Sequence, residues 1–180
     1  KAVLVSDDAL AGSGALDTAT TLAAAIGKAG DYDLVISGVE SSDGYTGTVP
    51  QMLAAKLGHP MVSFAKEVHV ADGKVSVKRQ TETGSQDVEA PTPCVVSVTA
   101  GVVEPRYPSF KGIMAAKSKP VEQVALSDLG IDAGSVGWAG AGQEITAVED
   151  APAREAGEII EDDGESFTKI VAYLENLKVI

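Results

Sequence analysis

The chain has 180 residues, with 14 Lys or Arg against 26 Asp or Glu, for a formal net charge of −12 at pH 7. That acid excess excludes bulk electrostatic binding of nucleic acid or of an anionic membrane surface, and it suits steering towards a positively charged partner. A composition of 44% hydrophobic and 22% charged residues suits a soluble globular protein with a sizeable core, no run reaches the roughly 18–20 apolar residues that cross a bilayer, and the single Cys94 excludes an internal disulfide and fits a reducing compartment.

Residues 1–5 (Lys-Ala-Val-Leu-Val) are mostly apolar, as in a buried parallel strand. Small and acidic residues fill 6–14. Asp17 and Thr18 then open a helix in which Leu16, Ala19, Leu22, Ala23 and Ile26 recur at helical spacing, closed by Gly27 to Gly30. Leu34-Val35-Ile36, bounded by turn residues, reads as a second strand. A polar, glycine-containing loop follows. Val49, Leu53 and Leu57 then mark a helix with Pro50 in its first turn and Gly58 at its end. This alternation predicts an α/β unit with parallel strands and right-handed crossovers, with ligand sites beyond the carboxyl ends of the strands. The loop after Ser37 lies at such an end and aims backbone N–H groups and a positive helix terminus at its guest, for which a phosphate is the natural choice. Taken alone, Gly44 and Gly47 are a weak motif: most such loops bind nothing, and the pattern is neither a Walker loop nor Gly-x-Gly-x-x-Gly.

His59-Pro60 leads to a strand at 61–64, where His59 reads as a surface cap at the helix exit. From 66 to 89 the pattern changes. Val68, Val70, Val75 and Val77 alternate with polar residues on either side of Asp72-Gly73, a hairpin signal, and a second turn near Thr83-Gly84 lets 86–90 return. This is an antiparallel insert with one solvated face, on which His69 points outwards. Residues 94–98 form a buried strand, with Cys94 as a structural thiol. In 101–117, Pro105 and Pro108 stiffen an exposed loop, Val102 and Tyr107 offer apolar anchors, and Arg106, Lys111, Lys117 and Lys119 supply positive charge. The simpler reading makes Glu104 and Arg106 a local ion pair holding a turn. A strand is expected at 120–126, a capped turn at 127–130, and a Gly-rich extended segment around Trp138 at 136–149. The acidic run 161–165 reads as a solvated helix entry. Phe167, Ile170, Val171 and Leu174 give a C-terminal helix over 165–177 with one apolar face. No Cys/His/Asp spacing suggests a metal. No nucleophile–base pair is evident, and Asp7-Asp8 and Asp162-Asp163 are sequence neighbours that favour solvated surface, so no catalytic residue is assigned.

Two stretches carry a family resemblance. Glu104-Pro105-Arg106-Tyr107, followed by a short helix with Ile113-Met114 and Lys117, and Gly38, Asp43, Thr46, Gln51 and Met52 in order, resemble the β subunit of the electron transfer flavoproteins. The resemblance spans nearly the whole chain and implies an open, mainly parallel, Rossmann-like sheet of the adenine-nucleotide α-hydrolase type. On this reading 1–130 is the nucleotide-binding domain, incomplete at its N-terminus, with the antiparallel insert at about 66–90. Residues 131–180 are an arm and helix that contact a partner α subunit, with Trp138 as an apolar handle and Pro152, Arg154 and Gly157 continuing the arm. The resemblance further implies that Asp43, Tyr45, Thr46, Gly47, Thr48, Val49, Pro50, Gln51 and Met52 surround a structural AMP, with its phosphate near Thr46 to Thr48. It makes Val102, Val103, Glu104, Pro105, Arg106 and Tyr107 a partner-recognition loop with Val102 as its anchor. The protein would be an electron carrier rather than a catalyst with its own substrate. It would share FAD held mainly by the α subunit, serve acyl-CoA dehydrogenases of fatty acid oxidation or other dehydrogenases, and pass electrons to a quinone oxidoreductase, in a bacterial cytoplasm. The alternatives are a stand-alone adenine-nucleotide sensor of the universal-stress type, a β subunit of a bifurcating flavoprotein with FAD in place of AMP, and an interaction module with an empty loop.

Overall fold

The computed structural model describes residues 1–154, 157 and 159–180. They divide into two units, Lys1–Glu144 and Ile145–Ile180. In the first unit the elements run β1 (Ala2–Val5), α1 (Ala15–Ala29), β2 (Leu34–Gly38), α2 (Val49–Leu57), β3 (Met61–Ala71), β4 (Lys74–Thr81), β5 (Gly84–Pro91), β6 (Cys94–Val98), α3 (Phe110–Ala116), β7 (Val121–Val124) and α4 (Gly137–Gly140). The second unit holds α5 (Ser166–Asn176).

Strands β2, β6, β3, β4 and β5 form one sheet in that order, and β1 pairs with β7 in a second. The pairings β1–β7, β2–β6 and β3–β6 are parallel, while β3–β4 and β4–β5 are antiparallel. The mixed α/β architecture agrees with the sequence reading. The strand order does not follow from it, because β6, from late in the chain, separates β2 from β3. Burial explains the choice: Cys94, Val95 and Val96 are fully inaccessible, and a strand apolar on both faces belongs in the middle of a sheet. Around it Val62, Ala65, Val75, Val77 and Ala90 close one continuous core.

Helix α2 rests on β6 and β3 through Leu53 and Ala54, and it packs against α1, whose Ala19, Thr21 and Ala25 are buried. Its end is a Schellman cap: Gly58 is left-handed, its N–H donates to Ala55 O at 3.2 Å, and the His59 N–H donates to Ala54 O at 3.0 Å. His59 gains a partner that sequence does not reveal, the Tyr32 hydroxyl at 3.0 Å from Nε2.

The insert forms as expected. Asp72 and Gly73 are both left-handed, at φ 52° and 71°, as a two-residue hairpin turn requires. Strand β3, however, does not stop at Phe64 but continues to Ala71. Residues 137–140, expected to be extended, form a helical turn. The Trp138 N–H donates to Ala11 O at 2.9 Å, and the indole covers Gly12, where a Cβ would overlap the ring. Residues 131–144 fall within the first unit.

In the second unit the acidic run organises the entry to α5. Asp162 accepts from the Gly164 N–H and the Ser166 hydroxyl, both at 3.0 Å, and Asp163 accepts from the Glu165 N–H at 3.0 Å and from Lys169 Nζ at 3.1 Å. Those backbone N–H groups, first among the causes, hold both carboxyls below the usual Asp range.

Candidate nucleotide site and docking loop

The loop at 39–48 leaves the carboxyl end of β2 and is shaped by its own side chains. The Asp43 carboxylate accepts from the Gly44 N–H at 2.8 Å, and the Tyr45 N–H donates to Ser41 O at 3.1 Å. The Ser41 hydroxyl and then the Gly44 N–H hold the Asp43 carboxyl below its ordinary range, so it is ionised at neutral pH. Tyr45 and Gly47 take left-handed backbone, φ 48° and 62°, turning the chain back towards α2.

Between this loop and α1 lies a cavity of about 250 Å³. Thr46, Gly47, Val49 and Pro50 line it, as sequence analysis places them. So do Thr18 and Leu22 of α1 and Ser37 to Ser41, of which sequence analysis names only Gly38 in the loop motif. Thr18 and Leu22 stand one helical turn apart, a spacing visible in the sequence, but nothing local says which face of α1 meets the loop. Asp43, Tyr45, Thr48, Gln51 and Met52 lie outside the lining. Ser37 Oγ is buried without a hydrogen-bond partner among the described residues.

The chemistry of the lining is specific. It carries one carboxylate, Glu40, and no Lys or Arg. An anion there depends on hydroxyls and backbone N–H groups. Helix α2 leaves its first N–H groups without intrahelical partners; Pro50 has none to give, and Thr48 makes no side-chain capping bond. The Val49 and Gln51 N–H groups are the donors left at the helix entry. The Gln51 side chain has a different task. With its amide nitrogen turned to the loop it donates to Gly47 O at 3.2 Å and Thr48 O at 3.1 Å, bracing the carbonyls beside the cavity.

The second stretch begins where β6 ends. The Val102 N–H donates to Thr99 O at 3.3 Å across a turn at Gly101, whose φ is 77°. Val102 is half-buried, whereas Val103 and Tyr107 are 72% and 99% exposed. Glu104 and Arg106 form no ion pair among the described residues, so the turn is not held by them. Helix α3 starts at Ser109, whose hydroxyl accepts from the Gly112 N–H at 3.1 Å, and it leaves Phe110, Ile113 and Met114 exposed beside Lys111 and Lys117. The result is an apolar surface edged with cations on an acidic chain.

The chain thus sets a strand-exit loop over a helix N-terminus in a mixed α/β sheet, beside a stiff apolar loop on the neighbouring strand exit. The family model "Electron transfer flavoprotein domain" matches residues 1–129. The electron transfer flavoprotein subunit beta of Mycobacterium tuberculosis is 42% identical over 180 residues, covering 100% of this chain and 68% of that relative. Subunit CarD of the caffeyl-CoA reductase-Etf complex of Acetobacterium woodii is 32% identical over 160 residues (89% of this chain, 61% of the relative). The subunit beta of Methylophilus methylotrophus is 36% identical over 142 residues (77% and 53%). The chain belongs to the electron transfer flavoprotein β-subunit family. Among the described residues no helix is long and apolar enough to cross a membrane.

Proposed function

We propose that this chain is the β subunit of a heterodimeric electron transfer flavoprotein that holds a structural AMP at the loop 39–48 and docks electron donors through residues 102–107. The observation that supports the reading is the cavity between α1, the β2 exit and the start of α2, which four of the residues assigned by the resemblance line: Thr46, Gly47, Val49 and Pro50. Its phosphate would meet the Val49 and Gln51 N–H groups and the Thr46 hydroxyl, with Gln51 holding the loop carbonyls back. FAD, held mainly by the α subunit, supplies the redox chemistry; this chain's residues bind, orient and present a docking face. In that face Val103, Tyr107 and Phe110 are the exposed apolar contacts, and Arg106 and Lys111 add positive charge suited to an acidic docking surface. The second reading, which the family resemblance leaves open, puts FAD in place of AMP at the same loop.

The test is to denature the purified protein with its α subunit by heat and identify the released nucleotide by chromatography and mass. AMP supports the reading. FAD at two equivalents per heterodimer supports the second reading, and ATP or no adenine nucleotide overturns both.

A further inference from the structure

A second cavity, of about 620 Å³, opens on the same edge of the sheet and shares no lining residue with the first. Phe64, Arg79, Thr81, Glu82, Thr99 and Ala100 border it. It lies where ligands collect in α/β sheets, beyond the carboxyl end of β6. Its volume falls within the range of small-molecule sites, roughly 300–1,000 Å³.

The wall at Phe64 is built by a distortion of β3. From Val62 to Ala65 the strand takes three steps while β6 takes two, from Val96 to Val98. The pairing with β4 slips again between Ala65 and Glu67. Phe64 sits at the break with φ 58°, left-handed backbone that costs a non-glycine residue about 1–2 kcal/mol. Its N–H, lost to the ladder, donates instead to Oγ of the buried Ser97 at 3.2 Å. Bulges of this kind re-aim a side chain next to a site, and a maintained backbone outlier points to function. Here the re-aimed group is an aromatic ring that borders the cavity.

Arg79 supplies the charge. It stands opposite Ala65 in the β3–β4 ladder. Its Nε is buried with no hydrogen-bond partner, and no carboxylate pairs with its guanidinium among the described residues, although Glu82 borders the same cavity. A buried donor on a cation lacking its acceptor is costly unless something supplies one, and a carboxylate matches the guanidinium fork. The Thr81 and Thr99 hydroxyls stand at the rim, and both already donate to backbone carbonyls, Thr81 to Gly84 O at 3.0 Å and Thr99 to Ala65 O at 3.3 Å.

We propose that the cavity between Phe64 and Arg79 is a second ligand site, for a small, flat carboxylate whose charge meets the Arg79 guanidinium and whose body lies against the Phe64 ring. The geometry favours a free small molecule over a partner's acidic side chain, because the cavity is far larger than a carboxylate needs and one wall is an aromatic ring positioned by strained backbone.

The experiment uses the full chain, labelled with nitrogen-15, and benzoate as the probe. Arg Nε–H and backbone amide resonances are followed by NMR through a titration. The expected result is saturable movement of the Arg79 Nε–H and the Thr81 and Thr99 amides, with a dissociation constant on the order of 1 mM for so small a ligand. Acetate should bind about tenfold more weakly or worse, a difference worth about one aromatic contact. Arg79→Gln should abolish the movement, and Phe64→Leu should weaken benzoate without changing acetate. Glu82→Gln should tighten benzoate several-fold by removing a like charge, a gain that a misfolded variant cannot mimic. Equal affinity for acetate and benzoate, movement that Arg79→Gln leaves intact, or displacement of benzoate by AMP would each overturn the proposal.

Discussion

Replacing Ser97 by Ala tests whether the break in β3 is held by one hydrogen bond. Ser97 is 1% exposed, and its Oγ accepts the Phe64 N–H at 3.2 Å. Alanine removes the acceptor, so the N–H loses its partner in the protein. Such a loss costs about 1–3 kcal/mol when burial is complete, and the partly buried setting of this bond puts it in the lower half, about 1–2 kcal/mol. For a chain of this size that is a fall in Tm of about 2–8 °C. Urea unfolding should show a lower midpoint with an unchanged m-value, since the native state loses a bond and not its compactness. Equal urea midpoints for wild type and Ser97→Ala would refute the argument. The bulge would then be fixed by sheet packing alone.

Three further outcomes follow from named contacts. A Cβ at Gly137, whose φ is 59°, would overlap the Ala9 carbonyl oxygen, so Gly137→Ala should lower stability by more than about 3 kcal/mol, while Gly142→Ala, in open space, should stay within about 0.5 kcal/mol; thermal unfolding of the pair checks this. Cys94 is fully buried and burial pushes its thiol pKa up, so a thiol reagent should not label the native protein at pH 8, and labelling should follow the rate of unfolding; prompt labelling would contradict the placement of β6. Asp43 has a folded pKa below its ordinary value, so its stabilisation of the loop is present above the ordinary carboxylate range and is lost as pH falls through the depressed value; Ser41→Ala should raise the Asp43 midpoint in a carbon-13 titration, and an unmoved midpoint would remove the Ser41 hydroxyl from the loop's design.

What was legible in the sequence is what local chemistry decides. Asp72-Gly73 between alternating valines fixes the β3–β4 turn, and Pro50 and Gly58 bracket α2. The loop residues 43–52 and the stiff segment 102–107 could be named because their order resembles one family. The features that stayed hidden depend on partners distant in sequence. Strand β6 takes an interior place in the sheet because three consecutive side chains bury on both faces, which local pattern cannot rank against β2. The β3 strand seemed to end at Phe64 because the break there is held by Ser97, 33 residues on. Residues 137–140 read as extended because the contacts that wind them, with Ala9 and Ala11, lie far upstream. In the nucleotide loop the lining from α1 was invisible for the same reason. In the docking loop the sequence named Val102 as anchor, and the turn to Thr99 draws that side chain partly inwards and leaves Val103 and Tyr107 outside.

The order β2-β6-β3 brings three proposed sites side by side: the loop 39–48 after β2, the proposed docking segment after β6, and the Phe64 break in β3. Adjacent strands lie about 4.8 Å apart, so the docking segment leaves the sheet within one strand's width of each cavity. Thr99 belongs to both neighbours. Its hydroxyl reaches Ala65 O beside the break, and its carbonyl accepts the Val102 N–H that sets the docking turn. A ligand seated between Phe64 and Arg79 would press on the residue that anchors that turn, while one in the loop 39–48 would touch β2, α1 and the start of α2, none of which holds Thr99. Benzoate should therefore slow amide exchange at Val102, and AMP should leave it unchanged, because protection follows the bond to Thr99 rather than global stability. If AMP protected Val102 as well as benzoate did, the effect would be general stabilisation by binding, and the docking turn would not be coupled to the Phe64 wall.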